Sequence, residues 1–266
     1  MKKSWIAVSL ALAGLAAGCR SGGRTTVSQP KPGADPLQKF VGQKMVLRHF
    51  GDRKDAAIKR GEEPKGGCDV AVNVVAATAV GDSARFTLDS LGRLRVGGNP
   101  VGKCGGLATP ITLTVRGVNA GQPDTWSDVL ASTLLTPEAY LAANGRPLPY
   151  APEPEPKLAA SASHASGDAE ERTLGRKVTT WPKPVLSVEP SISSPGGKVH
   201  HEGEVEFITV VGADGRVFRP TVKTPLSDEH TRFISNVLLV WRFDPAKAGD
   251  KTVPARYEGR TVFTIY

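Results

Sequence analysis

The stretch GEVEFITVVGADGRVFRPTVKTP, Gly203–Pro225, decides the fold class. Val205, Phe207, Thr209 and Val211 recur at every second position, with Ile208 and Val210 between them. Period two is the signature of a strand, because successive side chains leave a pleated backbone on opposite faces. The pattern breaks at Asp214-Gly215, a dipeptide that turns a hairpin because glycine tolerates positive φ. Val217 and Phe218 open the returning strand. Pro220 lacks an N–H and so places that strand at a sheet edge or on a bulge.

Reading onward, Ser227 is a helix N-cap, and Asp228 and Glu229 sit at the positive end of the helix dipole. Phe233, Ile234, Val237, Leu238 and Trp241 form one stripe at helical spacing, and Asp244-Pro245 marks the stop. A last strand is expected from about Arg256 to Tyr266, carrying Val262, Phe263 and Ile265. The order is β-β-α-β, a helix laid across one face of a small sheet.

These residues resemble the C-terminal domain of the TonB family. The features that carry the resemblance are Gly203, the Asp214-Gly215 turn, Trp241-x-Phe243-x-Pro245-Ala246, Gly249, Val253 and Phe263, in that order, over about 80 of 266 residues. The resemblance implies a protein-binding module rather than an enzyme. Members of that family capture a short extended segment of an outer-membrane receptor along the last strand, whose exposed edge offers unpaired N–H and C=O groups. The corresponding partner-binding edge here comprises Arg256, Tyr257, Arg260, Thr261, Val262 and Phe263. Arg256 and Arg260 add attraction for acidic flanks. A homodimer through the same strand is a further expectation.

The amino terminus departs from that family, whose members begin with a transmembrane helix coupled to a proton-driven motor. MKKSWIAVSLALAGLAAGC opens with Lys2 and Lys3, followed by an apolar run, Trp5–Gly18, of 14 residues. That is the pattern of a secretory signal, shorter than the roughly 20 residues that span a bilayer. Ala16-Ala17-Gly18-Cys19 resembles the lipobox of bacterial lipoproteins, with Ala16 where Leu is usual. It implies cleavage after residue 18 and lipidation of Cys19 on a periplasm-facing envelope protein. Arg20 in place of Asp points, by the same resemblance, to the outer membrane.

With Cys19 assigned to lipid, the remaining two of three cysteines, Cys68 and Cys104, form an even pair in an oxidising compartment, and a disulfide between them is expected. The formal charge of +8 falls to about +6 once Lys2 and Lys3 leave with the signal. The basic residues are scattered, which suits anionic surfaces in general and gives no nucleic-acid patch.

Residues 19–37 read as a polar tether. Residues 146–184, rich in Pro, Ala and Ser, read as a linker. Even fully extended, a Pro-rich stretch of about 35 residues reaches only about 120 Å, which argues against force transmission across the periplasm. Residues 38–145 read as a β-rich domain, a small barrel or sandwich with terminal helices, so the fold class is α+β with the β-β-α-β domain at 185–266. KMVLRHF, CDVAVNVVAATAV and PITLTVRGV are its strands. ARFTLD and RLRVGG flank Ser90-Leu91-Gly92, read as a hairpin turn. Asp124–Leu135 reads as a helix. A second helix starts at Thr136, Pro137 and Glu138 and stops at Gly145.

Two features invite an enzymatic or cofactor reading and are set aside. Gly97–Lys103 imitates a phosphate loop, but Cys104 stands where Ser or Thr would hold magnesium, and the glycines after it start no helix. His200, His201, Glu202 and Glu204 read as a polar loop rather than a metal set. No nucleophile–base pair is apparent. The expectation is therefore no catalytic residues, no metal and no cofactor, in a lipid-anchored adaptor serving outer-membrane transport. The alternatives are a true energy transducer with an uncleaved anchor and a structural envelope lipoprotein.

Overall fold

The computed structural model describes residues 37–50, 55–59, 67–102, 109–118, 132–156, 178–192 and 201–265. The signal, Cys19, the tether, Cys104 and most of the linker lie outside them. Strands β1 (Lys44–Phe50), β2 (Asp55–Lys59), β3 (Cys68–Val80), β4 (Ser83–Val96), β5 (Asn99–Pro100), β6 (Ile111–Arg116) and β7 (Leu134–Leu135) precede helix α1 (Pro137–Ala143). Then come β8 (Lys183–Ile192), β9 (His201–Val211), β10 (Val217–Val222), helix α2 (Asp228–Leu238), β11 (Arg242–Asp244), β12 (Ala246–Ala248), β13 (Lys251–Val253) and β14 (Ala255–Ile265). The chain is mostly β, with a curled, half-barrel sheet and two helices.

The main sheet runs β10-β9-β14-β8-β4-β3-β1-β7, and β6 joins it between β4 and β2. Val70, Val72 and Val74 of β3 pack with Met45, Leu47, Phe86, Leu88, Ile111, Leu113 and Val115 in one core on one face of the sheet. The opposite face contributes Val46, Ala71, Leu91 and Leu94 to a second core, shared with Tyr140, Leu186, Val188, Val205, Phe207, Ile234, Leu238, Trp241 and Phe243. Strands β1, β3 and β4 thus line both cores, and β4 is the one that goes on to pair with β8.

That role overturns the hairpin expected at Ser90-Leu91-Gly92. The chain does not reverse there; β4 continues, pairing with β3 as far as Arg93 and with β8 from Gly92 to Val96. Leu91 is buried, and Gly92, at φ +144°, carries the strand past Glu189 at a distance no side chain allows. Strand β8, Lys183–Ile192, has no counterpart in the sequence reading. Leu134 and Leu135 pair with Leu47 and Val46 as a strand instead of closing a helix, while 119–131 lie outside the described residues.

The helix termini follow their side chains. Thr136 accepts the Ala139 N–H at 3.2 Å, and Ser227 accepts that of His230 at 3.2 Å. Helix α2 stops at Leu238, earlier than Asp244-Pro245 suggested. Trp241 therefore lies beyond the helix, and Phe243 belongs to β11 beside β8; both remain in the core. The residue between them closes the helix end. Buried Arg242 donates from Nη1 to the carbonyls of Leu239, Val240 and Trp241 at 2.9, 3.1 and 2.8 Å, and from Nε to Glu138 Oε1 at 2.7 Å. Carbonyls left without intrahelical donors thus meet a cation where the dipole is negative. Burial works to raise the Glu138 carboxyl. The Arg242 charge and hydrogen bond outweigh it, and the group sits below its ordinary value.

The hairpin read from Gly203–Pro225 is present. Gly215, at φ +80°, makes the turn and lies so close to Phe243 that a Cβ would meet its carbonyl oxygen at 2.1 Å. Val205, Phe207, Thr209 and Val211 are buried, and Ile208 and Val210 face the other side. Strand β10 is the edge, and its register shifts between Phe218 and Thr221, around Pro220.

Candidate functional site

Strand β14 pairs antiparallel with β9 along its whole length, from Ala255↔Val211 to Ile265↔His201. On its other flank the sheet order places β8, yet the two strands pair only at Thr264↔Ser191 and Ile265↔Ile192. Pro190 lacks the N–H that would carry the ladder further back, and β8 turns its own pairing to β4 and β11. From Ala255 to Phe263, that flank of β14 has no strand beside it among the described residues. The last strand is thus not the sheet's edge, as the sequence reading had it. It is an inner strand that, among the described residues, pairs with β8 only at Thr264 and Ile265.

The six residues singled out on this strand divide by face. Tyr257, Thr261 and Phe263 point inward. Tyr257 packs edge-on to Phe243 at 4.7 Å, with its hydroxyl's pKa raised by burial, and Phe263 lies over Gly203, where a Cβ would meet the ring at 2.4 Å. Arg256, Arg260 and Val262 point outward. Arg260 donates to Glu206 at 2.7 Å and Glu204 at 3.2 Å, and Arg256 lies 3.7 Å from Glu258. Both cations have acidic neighbours of their own within the sheet. Val262, 52% exposed, is the apolar surface on offer. Glu202 and Glu204 belong to β9, not to a loop, and among the described residues no group of three His, Cys, Asp or Glu side chains is placed to hold a metal.

The remaining motif residues are structural in placement. Pro245 and Ala246 are buried, and Gly249 turns the β12–β13 hairpin at φ +63°. Cys68 is disulfide-bonded, and its backbone pairs with that of Gly102 in an isolated antiparallel β-bridge; Cys104 lies outside the described residues. Among the described residues, no helix is long and apolar enough to cross a membrane.

The opposite edge of this sheet is obstructed. Pro220 removes a donor from β10, and Arg219 is held at φ +48°, which bends the strand. The segment Ala151–Pro156 also straps the hairpin. Asp214, almost fully buried, accepts the Glu153 N–H at 2.9 Å and the Arg216 Nε at 2.5 Å, while Arg216 also donates to the Glu153 carbonyl and Arg219 pairs with Glu155. Burial works to raise the Asp214 carboxyl, but the hydrogen bonds from Glu153 and Arg216 bring it below its ordinary value. A depressed carboxylate stabilises the folded state above its ordinary pKa and ceases to do so as pH falls through the depressed value. Below about pH 4 the strap is therefore expected to loosen. Amide exchange at Glu153 should accelerate there in the native chain, and an Asp214→Asn variant should show exchange at that amide independent of pH once intrinsic rates are removed.

Compared with models of known families, the chain matches none, and among curated proteins no match is found.

Proposed function

We propose that the mature chain is a non-enzymatic adaptor, held to the periplasmic side of a bacterial envelope membrane by lipid on Cys19, that binds a protein partner by strand addition along β14. The observation that carries this reading is the open flank from Ala255 to Phe263, next to a ladder that β8 resumes at Thr264. An extended segment laid there would pair its main chain with β14 and set alternate side chains beside Val262 and the Arg256–Glu258–Arg260 row. The blocked β10 edge favours this flank over the other. The motif resemblance to the TonB C-terminal domain suggests the class of partner: an extended periplasmic segment of an outer-membrane receptor.

Photo-cross-linking from Val262 in the intact, membrane-held chain tests this. Adducts with a receptor segment are expected, and they should be lost when Thr261→Pro removes a backbone donor and disturbs the strand. Equal adduct yields from Val80, which is as exposed but lies at the far end of β3, would sink the assignment.

A further inference from the structure

We infer that Asp214, Arg216 and Arg219 form a docking clamp on the β9–β10 hairpin for an extended acidic segment spaced by prolines, that Ala151–Pro156 is its resident occupant, and that a segment of the same chemistry in a partner protein displaces it. In the sheet, β9 lies between this clamp and β14. The inference therefore goes beyond strand addition along β14 and does not depend on it.

The clamp is built within the hairpin. The Asp214 carboxylate, 2% exposed, accepts the Arg216 N–H at 3.1 Å and the Arg216 Nε at 2.5 Å. Held below its ordinary pKa, it is ionised and can only accept. Gly212 leaves it room: a Cβ there would stand 2.7 Å from Asp214 Oδ1 and 2.8 Å from the Phe218 ring. The same ring steadies Arg216, whose guanidinium carbon lies 5.5 Å from its centroid. Arg219 is aimed by the bulge around Pro220, which holds it at φ +48°. A buried anion and a left-handed arginine both cost stability, and a hairpin turn requires neither. Together they make a surface that grips a chain.

The strap shows what fits. Glu153 is held by its main chain: its N–H donates to Asp214 Oδ2 at 2.9 Å, and its carbonyl accepts from Arg216 Nη2. Two residues on, the Glu155 carboxylate pairs with Arg219. The first position thus demands an N–H, which any residue but proline supplies, and the third demands a carboxylate. Pro152, Pro154 and Pro156 fall between. Each biases the residue before it toward extended backbone and offers no competing N–H to Asp214. A segment already extended loses little freedom on docking. Ala151–Glu155 are exposed, and no residue of 151–156 belongs to either core. The strap can therefore lift without opening the fold.

Peptide binding to the full mature chain tests this. The probe is a labelled peptide APEPEP, the sequence of Ala151–Pro156, blocked at both ends. Glu153→Pro with Glu155→Ala empties the clamp, removing the N–H that Asp214 accepts and the carboxylate that Arg219 meets. Both positions are exposed, and native amide exchange in β9 checks that the hairpin stays folded. The emptied chain should bind the peptide about tenfold tighter than the native chain, whose tethered strap competes at an effective concentration on the order of millimolar. Replacing the second Glu of the peptide by Lys should weaken that binding about fivefold, and adding Arg219→Glu to the emptied chain should reverse the preference. In the native chain, excess peptide should lift the strap and accelerate exchange at the Glu153 amide at least about twofold. Equal binding by native and emptied chains, indifference to the Glu-to-Lys change, or a Glu153 amide unmoved by peptide would each overturn the inference. No β14 residue enters these measurements, so the clamp and the capture of a receptor segment at Val262 fail separately.

Discussion

Replacing Arg242 with Ala is expected to lower the free energy of unfolding by about 3–5 kcal/mol, the cost of breaking a buried ion pair by removing one partner. For a chain of this size that is a fall in melting temperature of roughly 6–20 °C. The loss has two parts. Glu138, its side chain 36% exposed, is left without its cation, and the carbonyls of Leu239, Val240 and Trp241 lose their donor at the end of α2, which carries most of the loss. The first part is reversible by chemistry: a Glu138→Leu, Arg242→Met double variant removes both charges and should recover a substantial share. The acid limb of the stability curve supplies a separate readout. Because Glu138 is depressed by Arg242, it contributes stability above its ordinary value and loses it as pH falls below about 4. In Arg242→Ala that contribution should disappear. A thermal shift under about 1 kcal/mol equivalent would mean the guanidinium is dispensable.

Gly92→Val is expected to be nearly as damaging, by a different route. A Cβ at Gly92 would stand 1.9 Å from the Glu189 carbonyl oxygen and 3.0 Å from Val188, so the backbone of β8 must move. The φ of +144° adds strain on the order of 1–3 kcal/mol for a residue with a side chain. The displaced ladder loses hydrogen bonds worth about 0.5–1.5 kcal/mol each. Denaturant titration should show a total loss of about 3 kcal/mol or more. Amide exchange should locate it at Gly92–Val96 and Leu186–Glu189, with β3 and the first half of β4 protected. Uniform loss of protection, with no excess at that joint, would show that Gly92 is not where the two cores are tied.

What was legible in the sequence was local. The alternation in Val205–Val211, the Asp214-Gly215 turn and the caps at Thr136 and Ser227 each depend on neighbours within four residues, and each took the expected form. Pro220 is the same case, an edge strand with a bulge. The errors came where distant partners decide. Ser90-Leu91-Gly92 has the composition of a turn, but Leu91 has a second core to enter and Gly92 has β8 to pass, and neither partner is near in the chain. Trp241 continues a helical stripe by spacing, yet Arg242 caps the helix just before it by reaching Glu138. The last strand was found, but its place between β9 and β8 was not, because β8 carries two prolines, Pro184 and Pro190, and no clean alternation. The open flank follows from Pro190 once β8 is known to be a strand. The strap at Glu153 was invisible because Pro-Glu alternation carries no mark of the Asp214 carboxylate it binds.

The β4–β8 joint has a kinetic consequence. It pairs Gly92 with Pro190, roughly a hundred residues apart, whereas β3–β4 and β9–β10 are hairpins of near neighbours. Closing so long a loop costs on the order of 4 kcal/mol of chain entropy before any contact is gained. The hairpins should therefore form early and the joint late, giving slow folding set by contact order. Until that step, Leu94 and Val188 lie bare on opposite halves of the chain, and an unfinished molecule at high concentration would be open to pairing with its neighbours instead of with itself.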